Sequence, residues 1–503
     1  MPKVHALKSR GQTAFQQGRA REALNHYLQA SREAPNDAEI WHMLAILHGM
    51  SGNNDEAEHC CRRVIRLQPG AHSAHNNLGT ILKGKGRYKE AADCYREALR
   101  LVPNHAAAAN NLGTLLRETG DMGGALTQYQ NAIRQKPDYA EAYSNLGALL
   151  QDMGRVQEAL QAYQQAVQLQ PANADRLFNF ACGLREAGRM EDALRVFQRV
   201  LQIDARNALA WDGLCHTQLE LRCFDDAAAS GLRAIEIDPG FVQAYLHTGS
   251  AFQAVKRTHE ATRMFRQALS IEPGNETARY FLAISGANEA PDKSPADYVR
   301  KLFDGYAETF DDSLVNKLEY RTPTLLHQIA GRYFDPGTAA QIDVIDLGCG
   351  TGLCGPLFRP MAKRLIGVDL APKMIAKARD RMVYDELLVD DLIPPLEANS
   401  DGFDLALAAD VFVYIGDLGP VFGATAAALR PGGLFMFSTE DEEDAQGFVL
   451  RASGRYAHGK SYITELAEKW NLDLVSVDDV SLRKESGQDI QGSIYVLKRR
   501  QTG

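Results

Sequence analysis

Residues 72–105 read HSAHNNLGTILKGKGRYKEAADCYREALRLVPNH, and a phrase of the same 34-residue length returns along the first half of the chain. Its small anchor, Ala91, has counterparts at Ala23, Ala57, Ala125, Ala159, Ala193, Ala227 and Ala261. Its proline, Pro103, has counterparts at Pro35, Pro69, Pro137, Pro171, Pro239 and Pro273, and Ala205 stands where the remaining proline would fall. Eight units thus cover about residues 4–275 without insertion or deletion. Apolar spacing in each unit predicts two amphipathic helices joined by a turn. Gly18, Gly52, Gly86, Gly120, Gly154 and Gly188 stand where the first helix must stop, because glycine accepts left-handed backbone there. Leu78-Gly79, Leu112-Gly113 and Leu146-Gly147 put a small residue in mid-helix, so that the partner helix can approach closely. Tyr27, Tyr95, Tyr129, Tyr163, Phe197 and Phe265 fill the space between helices, and Trp41 and Trp211 occupy equivalent positions.

This pattern resembles the tetratricopeptide repeat (TPR). One unit cannot bury its apolar face alone, so the expected fold is an α-solenoid of about eight repeats with a long concave surface. Asn275-Glu276-Thr277 opens one more helix after the eighth unit, over 278–284, expected to be a solvating cap. Before the mid-helix pair stand Asn77, Asn111 and Asn145, with Asn179 one repeat further, a ladder at one-repeat spacing. Thr80 and Thr114, then Glu118, Asp152 and Glu186, share that helical face. An asparagine offers one acceptor and two donors, which suits the C=O and N–H of an extended peptide. These repeats look like those of the protein O-linked N-acetylglucosamine transferase, and that resemblance implies a peptide in the groove. A merely wetted scaffold is the other reading of the same residues. The acids suggest a neutral or basic ligand, although solvated helix ends account for them nearly as well.

Asn288-Glu289-Ala290-Pro291-Asp292-Lys293-Ser294-Pro295 breaks the period. The expected organisation is a solenoid with its capping helix over 1–287, a linker over 288–296 and a second domain over 297–503. In that second domain, short apolar runs at 342–347, 364–370, 386–389, 403–409 and 434–438 alternate with helical stretches such as 374–382 and 421–429. The alternation implies a mostly parallel sheet covered on both faces, with final strands at 472–477 and 493–497 closing one edge.

Ligands of such sheets gather at the carboxyl ends of the strands. The first strand ends Asp346-Leu347-Gly348-Cys349-Gly350-Thr351-Gly352. The spacing is Gly-x-Gly-x-Gly, unlike the Gly-x-Gly-x-x-Gly of dinucleotide binders, and no Gly-Lys-Ser/Thr follows to make a P-loop. Led by an acid, the motif resembles motif I of the Rossmann-like class I S-adenosylmethionine (SAM) methyltransferases. Gly367-Val368-Asp369-Leu370, Val389-Asp390-Asp391-Leu392, Ala409-Asp410 and Leu429-Arg430-Pro431-Gly432-Gly433 follow in that family's order. The resemblance implies that Asp346, Gly348, Cys349 and Gly350 meet the cofactor, that Asp369 takes the ribose hydroxyls, and that Leu370 and Met374 flank the adenine. It further implies that Asp391 accepts from the adenine amino group and that the Leu392 amide meets the ring, with Asp410 at the next strand end. Aromatic residues at 303, 306 and 310 form one helical face; in related methyltransferases this segment is a lid, which makes Tyr306 a cofactor contact, and ordinary helix packing is the alternative. Arg321 could clamp the cofactor carboxylate bidentately or make a surface salt bridge.

No Asn/Asp-Pro-Pro-Tyr follows the fourth strand, which lowers the case for adenine-amino or glutamine-amide acceptors. The segment from Glu440 through Arg451 and Arg455 to His458 is expected to shape the acceptor pocket. His458 is the candidate base, because an imidazole exchanges protons near neutral pH; a structural histidine is the competing reading.

The chain has 503 residues, 45% of them hydrophobic and 24% charged, so folded domains are expected and wholesale disorder is not. A net charge of −9 argues against a nucleic-acid partner. No apolar run reaches about 18 residues, so no membrane insertion is expected. Neither a secretory signal nor a metal-ligand spacing stands out among the eight cysteines and the histidines, which points to a reduced, cytoplasmic protein without a metal. The whole chain resembles bacterial fusions of tetratricopeptide repeats to a SAM methyltransferase. The expected function is methylation of a protein or peptide acceptor held by the repeats, the alternative being a small-molecule carboxylate or hydroxyl methyltransferase whose repeats serve assembly.

Overall fold

The computed structural model describes residues 2–307, 310–311, 320–334, 342–442, 445–485 and 488–501. Two compact units divide the chain, Met1–His247 and Thr248–Gly503. The seam between them falls inside a repeat, within the helix Val242–Ala254.

Unit one is a run of helix pairs, beginning Pro2–Gln16 with Ala20–Glu33 and Ala38–Met50 with Asn54–Leu67, and continuing to Ala208–Glu220 with Phe224–Ile237. The mid-helix glycines act as predicted: a Cβ on Gly79 would sit 2.6 Å from the ring of Tyr95, which is buried. The helix-ending glycines have φ between 71° and 88°, and in the next two repeats Arg222 and Lys256 adopt the same conformation at 60°.

The ladder asparagines are half-buried, and three of them bond across the repeat boundary. Asn111 donates to Asn76 Oδ1 at 3.0 Å, Asn145 to Asn110 Oδ1 at 3.0 Å and Asn179 to Ser144 Oγ at 3.0 Å. His247 continues the series with Asp212 at 2.8 Å. Thr80 and Thr114 take bonds from the buried hydroxyls of Tyr95 and Tyr129. Lys83 pairs with Glu118 and Arg117 with Asp152, each at 2.6 Å, so these two acids already carry cations from the same face.

In unit two the helix that follows the eighth repeat, Glu276–Ile284, is not a solvated cap. Tyr280 is fully buried, its hydroxyl donates to the Gly454 carbonyl, and its ring lies 5.3 Å from that of Tyr298. The segment expected to be a linker is tied down as well. The Asp292 carbonyl accepts from the Gly416 and Asp417 amides at 2.7 and 2.8 Å, and Ser294 N donates to Tyr414 O at 2.9 Å.

The strands are β1 (Ile342–Leu347), β2 (Ala362–Asp369), β3 (Glu386–Val389), β4 (Phe403–Ala408), β5 (Leu429–Glu440), β6 (Phe448–Leu450), β7 (Tyr456–His458), β8 (Leu472–Glu485) and β9 (Gln488–Arg499). Seven form one sheet in the order β3-β2-β1-β4-β5-β9-β8, and β6 pairs with β7. The first five are parallel; β9 runs antiparallel to both β5 and β8. Register pairs Asp346 with Gly367 on one side and with Leu407 on the other, which brings the carboxyl ends of β1, β2 and β4 level. One face buries a cluster around Phe412, Phe422, Phe435 and Phe437, and the other a cluster around Leu326, Phe358, Leu405 and Met436. Burial on both faces explains why the parallel strands read as continuous apolar runs.

Candidate active site

Strand order reverses between β1 and β4, and a cavity of about 560 Å3 opens there, at their carboxyl ends. The glycine turn after β1 makes its floor. Gly348 has φ 66°, and a Cβ there would lie 2.5 Å from Val411, so backbone alone fits. Asp369, at the end of β2, accepts from the amides of Gly350 at 2.9 Å and Ala371 at 2.8 Å. That carboxylate therefore fixes the shape of the turn as well as facing the cavity.

Asp346 is 1% exposed. One carboxylate oxygen accepts from the Tyr384 hydroxyl at 2.6 Å, while Oδ1 is buried without a hydrogen-bond partner. Loss of water raises its pKa to about 7, an effect that the Tyr384 bond opposes and the nearby Asp369 charge reinforces. An orphaned buried carboxylate oxygen beside a cradle too tight for side chains fits a cationic ligand that comes close to the backbone, and SAM is one.

Ten of the expected cofactor residues line this cavity: Tyr306, Asp346, Gly348, Cys349, Gly350, Asp369, Leu370, Asp391, Leu392 and Asp410. Their environments differ from expectation in places. Asp391 accepts from the Leu392 amide at 2.7 Å and from Lys293 at 2.9 Å, so both groups assigned to adenine have partners in the chain itself. Met374 does not border the cavity; the helix Pro372–Asp380 turns it inward, beneath Ala307, Phe303 and Phe310. Arg321 lies outside the lining too, next to the helix Thr322–Ala330.

His458 stands furthest from the role expected of it. It is fully buried in β7, away from the cavity lining, and its Nε2 donates to the carbonyls of Ile415 and Gly416 at 2.9 and 3.1 Å. Burial lowers its pKa to about 4. A neutral imidazole bonded to two backbone carbonyls positions β7; it is not placed to take a proton from a ligand.

Tyr298, Leu302, Phe303 and Tyr306, from the helix Ala296–Tyr306, cover the cavity together with Phe310. Phe303 meets Phe310 and Tyr414 edge to face at 5.8 and 5.3 Å. Asp304 accepts from the Lys373 amide at 2.9 Å, and Asp311 from the Thr351 hydroxyl. This segment is therefore held down over the glycine turn.

The far end carries residues that the motifs did not single out: Tyr320, Tyr414 and, from β8, Arg483. Arg455 lies there too, in the β6–β7 connection. Arg483 donates to both oxygens of Asp410, at 2.9 and 2.7 Å, and also pairs with Glu440, which Arg451 approaches at 2.9 Å. Asp410 has φ 60°, a left-handed conformation that turns its carboxylate to this ion pair. Just past β5, Glu442 pairs with Arg451 at 3.0 Å, and Asp441 accepts from Ser493 at 2.5 Å with Lys460 at 3.7 Å. Glu443 and Asp444 lie outside the described residues.

A family model described as a methyltransferase domain matches residues 315–477. Tetratricopeptide-repeat models match residues 14–78, 72–105 and 140–173, and a further TPR model matches 113–154. The chain is 31% identical over 121 residues to a ubiquinone biosynthesis O-methyltransferase of Rhodopseudomonas palustris, covering 24% of this chain and 44% of that one. It is 34% identical over 96 residues to a malonyl-[acyl-carrier protein] O-methyltransferase of Yersinia pestis, covering 19% and 36%. The chain thus spans less than half the length of these two curated relatives. Among solved structures, YrrB, a TPR protein with an unusual peptide-binding site, aligns at 21% identity over 37% of this chain and 96% of its own, with a TM-score of 0.33. Among the described residues no helix is long and apolar enough to cross a membrane.

Proposed function

From a chain in which tetratricopeptide repeats are fused to a methyltransferase domain, we propose a SAM-dependent methyltransferase whose repeats recruit a protein that bears the acceptor. The observation that carries the first half is Asp346 Oδ1, buried and unpartnered beside the glycine turn. SAM, when bound, supplies a methyl group on a sulfonium, already activated for in-line displacement. The chain's own residues do the rest. Asp346 receives the cationic part of the cosubstrate, Asp369 holds the turn against it and faces the ribose, and Asp391 faces the base. Phe303, Phe310 and Tyr306 cover the site and keep water out, so that the acceptor meets the methyl in a fixed geometry.

The second half rests on the repeats, since such repeats generally mediate protein–protein contacts. The name of the Yersinia relative describes an acceptor carried on a protein, which agrees in kind. The ladder contributes a pre-ordered row, because Asn111, Asn145 and Asn179 are held in register by their own cross-repeat bonds. Eight cysteines, all thiols in this structure, suit a reducing cytoplasm. The test is labelled SAM with lysate, followed by separation of macromolecules from small solutes. Label on protein is expected, and lost when Asn77, Asn111, Asn145 and Asn179 are replaced by alanine together. Label confined to small molecules and indifferent to that replacement removes the protein acceptor.

A further inference from the structure

The acceptor end of the cavity is rich in donors and poor in bases. Asp410, which borders it, is held by both oxygens on Arg483. Glu440 lies behind, 3% exposed, among Arg483, Arg451 and, at 3.9 Å, Arg455, which therefore has one acid of the chain beside it and turns its remaining donors to the cavity. Tyr320 donates to the Ala409 carbonyl at 3.3 Å, and His458 is turned toward Ile415 and Gly416. Arg455 faces the cavity with Tyr298 and Tyr414, and the Tyr414 hydroxyl shares a hydrogen bond with it. A guanidinium carries five N–H donors in a planar fork that matches a carboxylate, and never serves as a base at neutral pH. Burial pushes the Tyr298 and Tyr414 hydroxyls above their ordinary pKa, so they stay protonated.

An alcohol, or an amine that arrives protonated as a lysine does at neutral pH, would need a nearby group to take its proton. An anion needs none and is drawn to this wall. Resting on the methyltransferase reading above, we propose that the acceptor group is a carboxylate seated against Arg455, Tyr298 and Tyr414, which the protein converts to its methyl ester. One carboxylate oxygen attacks the methyl carbon, the carbon–sulfur bond breaks and its electron pair stays on sulfur. No proton moves, and the products are an ester and neutral S-adenosylhomocysteine. A cation and an anion enter and two uncharged centres result, so a water-poor cavity favours the step. The tyrosines also tie this wall to the end of the repeats. Tyr298 packs on Tyr280, whose hydroxyl holds the Gly454 carbonyl next to Arg455.

The test uses the full chain. Calorimetry with S-adenosylhomocysteine comes first; absence of binding overturns the methyltransferase reading itself and leaves no site for this one. With S-adenosylhomocysteine bound, phenylacetate is titrated against phenylacetamide, which has the same shape without the charge. The carboxylate should bind at least about tenfold tighter. Arg455→Gln should erase that preference while keeping the heat of S-adenosylhomocysteine binding, and Arg455→Lys should restore part of it. Equal affinity of the two probes for the wild type overturns the proposal. Independently, label transferred from SAM to acceptors in lysate should leave as volatile methanol in mild alkali. Label that resists alkali overturns it too.

Discussion

The asparagine ladder of the repeats and the glycine turn of the cavity leave their polar groups in opposite states. In the repeats, Asn111 is spent on Asn76, Asn145 on Asn110 and Asn179 on Ser144, and Glu118 and Asp152 are spent on Lys83 and Arg117. At the carboxyl ends of the sheet, Asp346 keeps one oxygen buried with no partner, and its proton is held up to about pH 7. Satisfied polar groups set register between neighbouring units; an unsatisfied one is a cost to the fold that a ligand can relieve. On the proposed reading the sulfonium would sit in the second region, while the first is preformed surface.

The largest effect expected breaks this contrast from the cavity side. Arg483→Ala leaves Asp410 without its cation and Glu440 with only Arg451 and Arg455, and should cost about 3–5 kcal/mol of stability in unit two, read as a lower denaturant midpoint. An unchanged midpoint would mean that the pair is already hydrated.

Next comes pH. A cationic ligand needs Asp346 ionised, so its affinity should be flat above about pH 7 and fall by up to about tenfold per unit below it, as calorimetry across pH would report. The sign for the ligand-free fold is the reverse. A carboxyl raised from 3.8 to about 7 stabilises the folded state at low pH and loses that contribution as pH climbs through about 7. A SAM affinity independent of pH between about 5 and 8 would take Asp346 out of the site.

Asn145→Ala should cost about 1 kcal/mol, confined to its repeat and its neighbour, with SAM affinity untouched. Hydrogen exchange along the repeats would show whether the loss stays local. The smallest change sharpens the same regularity. Arg222→Gly restores the residue found at the six equivalent turns and should stabilise unit one by about 0.5–1 kcal/mol, seen in thermal unfolding. A destabilised protein would show that Arg222 gains more from its contacts than its backbone conformation loses.

The regular parts were legible because they are local. A 34-residue step, a glycine at each helix end and an acid before three close glycines are short-range patterns, and the fold obeys them. The missed parts join distant segments. Arg483 reaches Asp410 across 73 residues, and Lys293 reaches Asp391 across 98. Neither has a local signature; the antiparallel insertion of β9 between β5 and β8 was needed to bring the first pair together. Met374 was misplaced for a similar reason. Its spacing from Leu370 is right, but the helix Pro372–Asp380 rotates it under Phe303 and Phe310, two residues of the covering segment. His458 looked available because an isolated imidazole titrates near neutrality; in β7 two backbone carbonyls claim its Nε2. Repetition had suggested that the final helix would face water, and instead Tyr280 buries its ring beside Tyr298.

The central claim is that the cavity at the ends of β1, β2 and β3 holds SAM. Calorimetric titration of the full chain with SAM above pH 7 tests it most directly, with Asp369→Ala titrated beside the wild type. The account predicts one SAM per chain, and an affinity lower by about 1.5–3 kcal/mol in the variant, whose Gly350 and Ala371 amides lose their charged acceptor. No heat from the wild type, or equal affinity in both proteins, would contradict it.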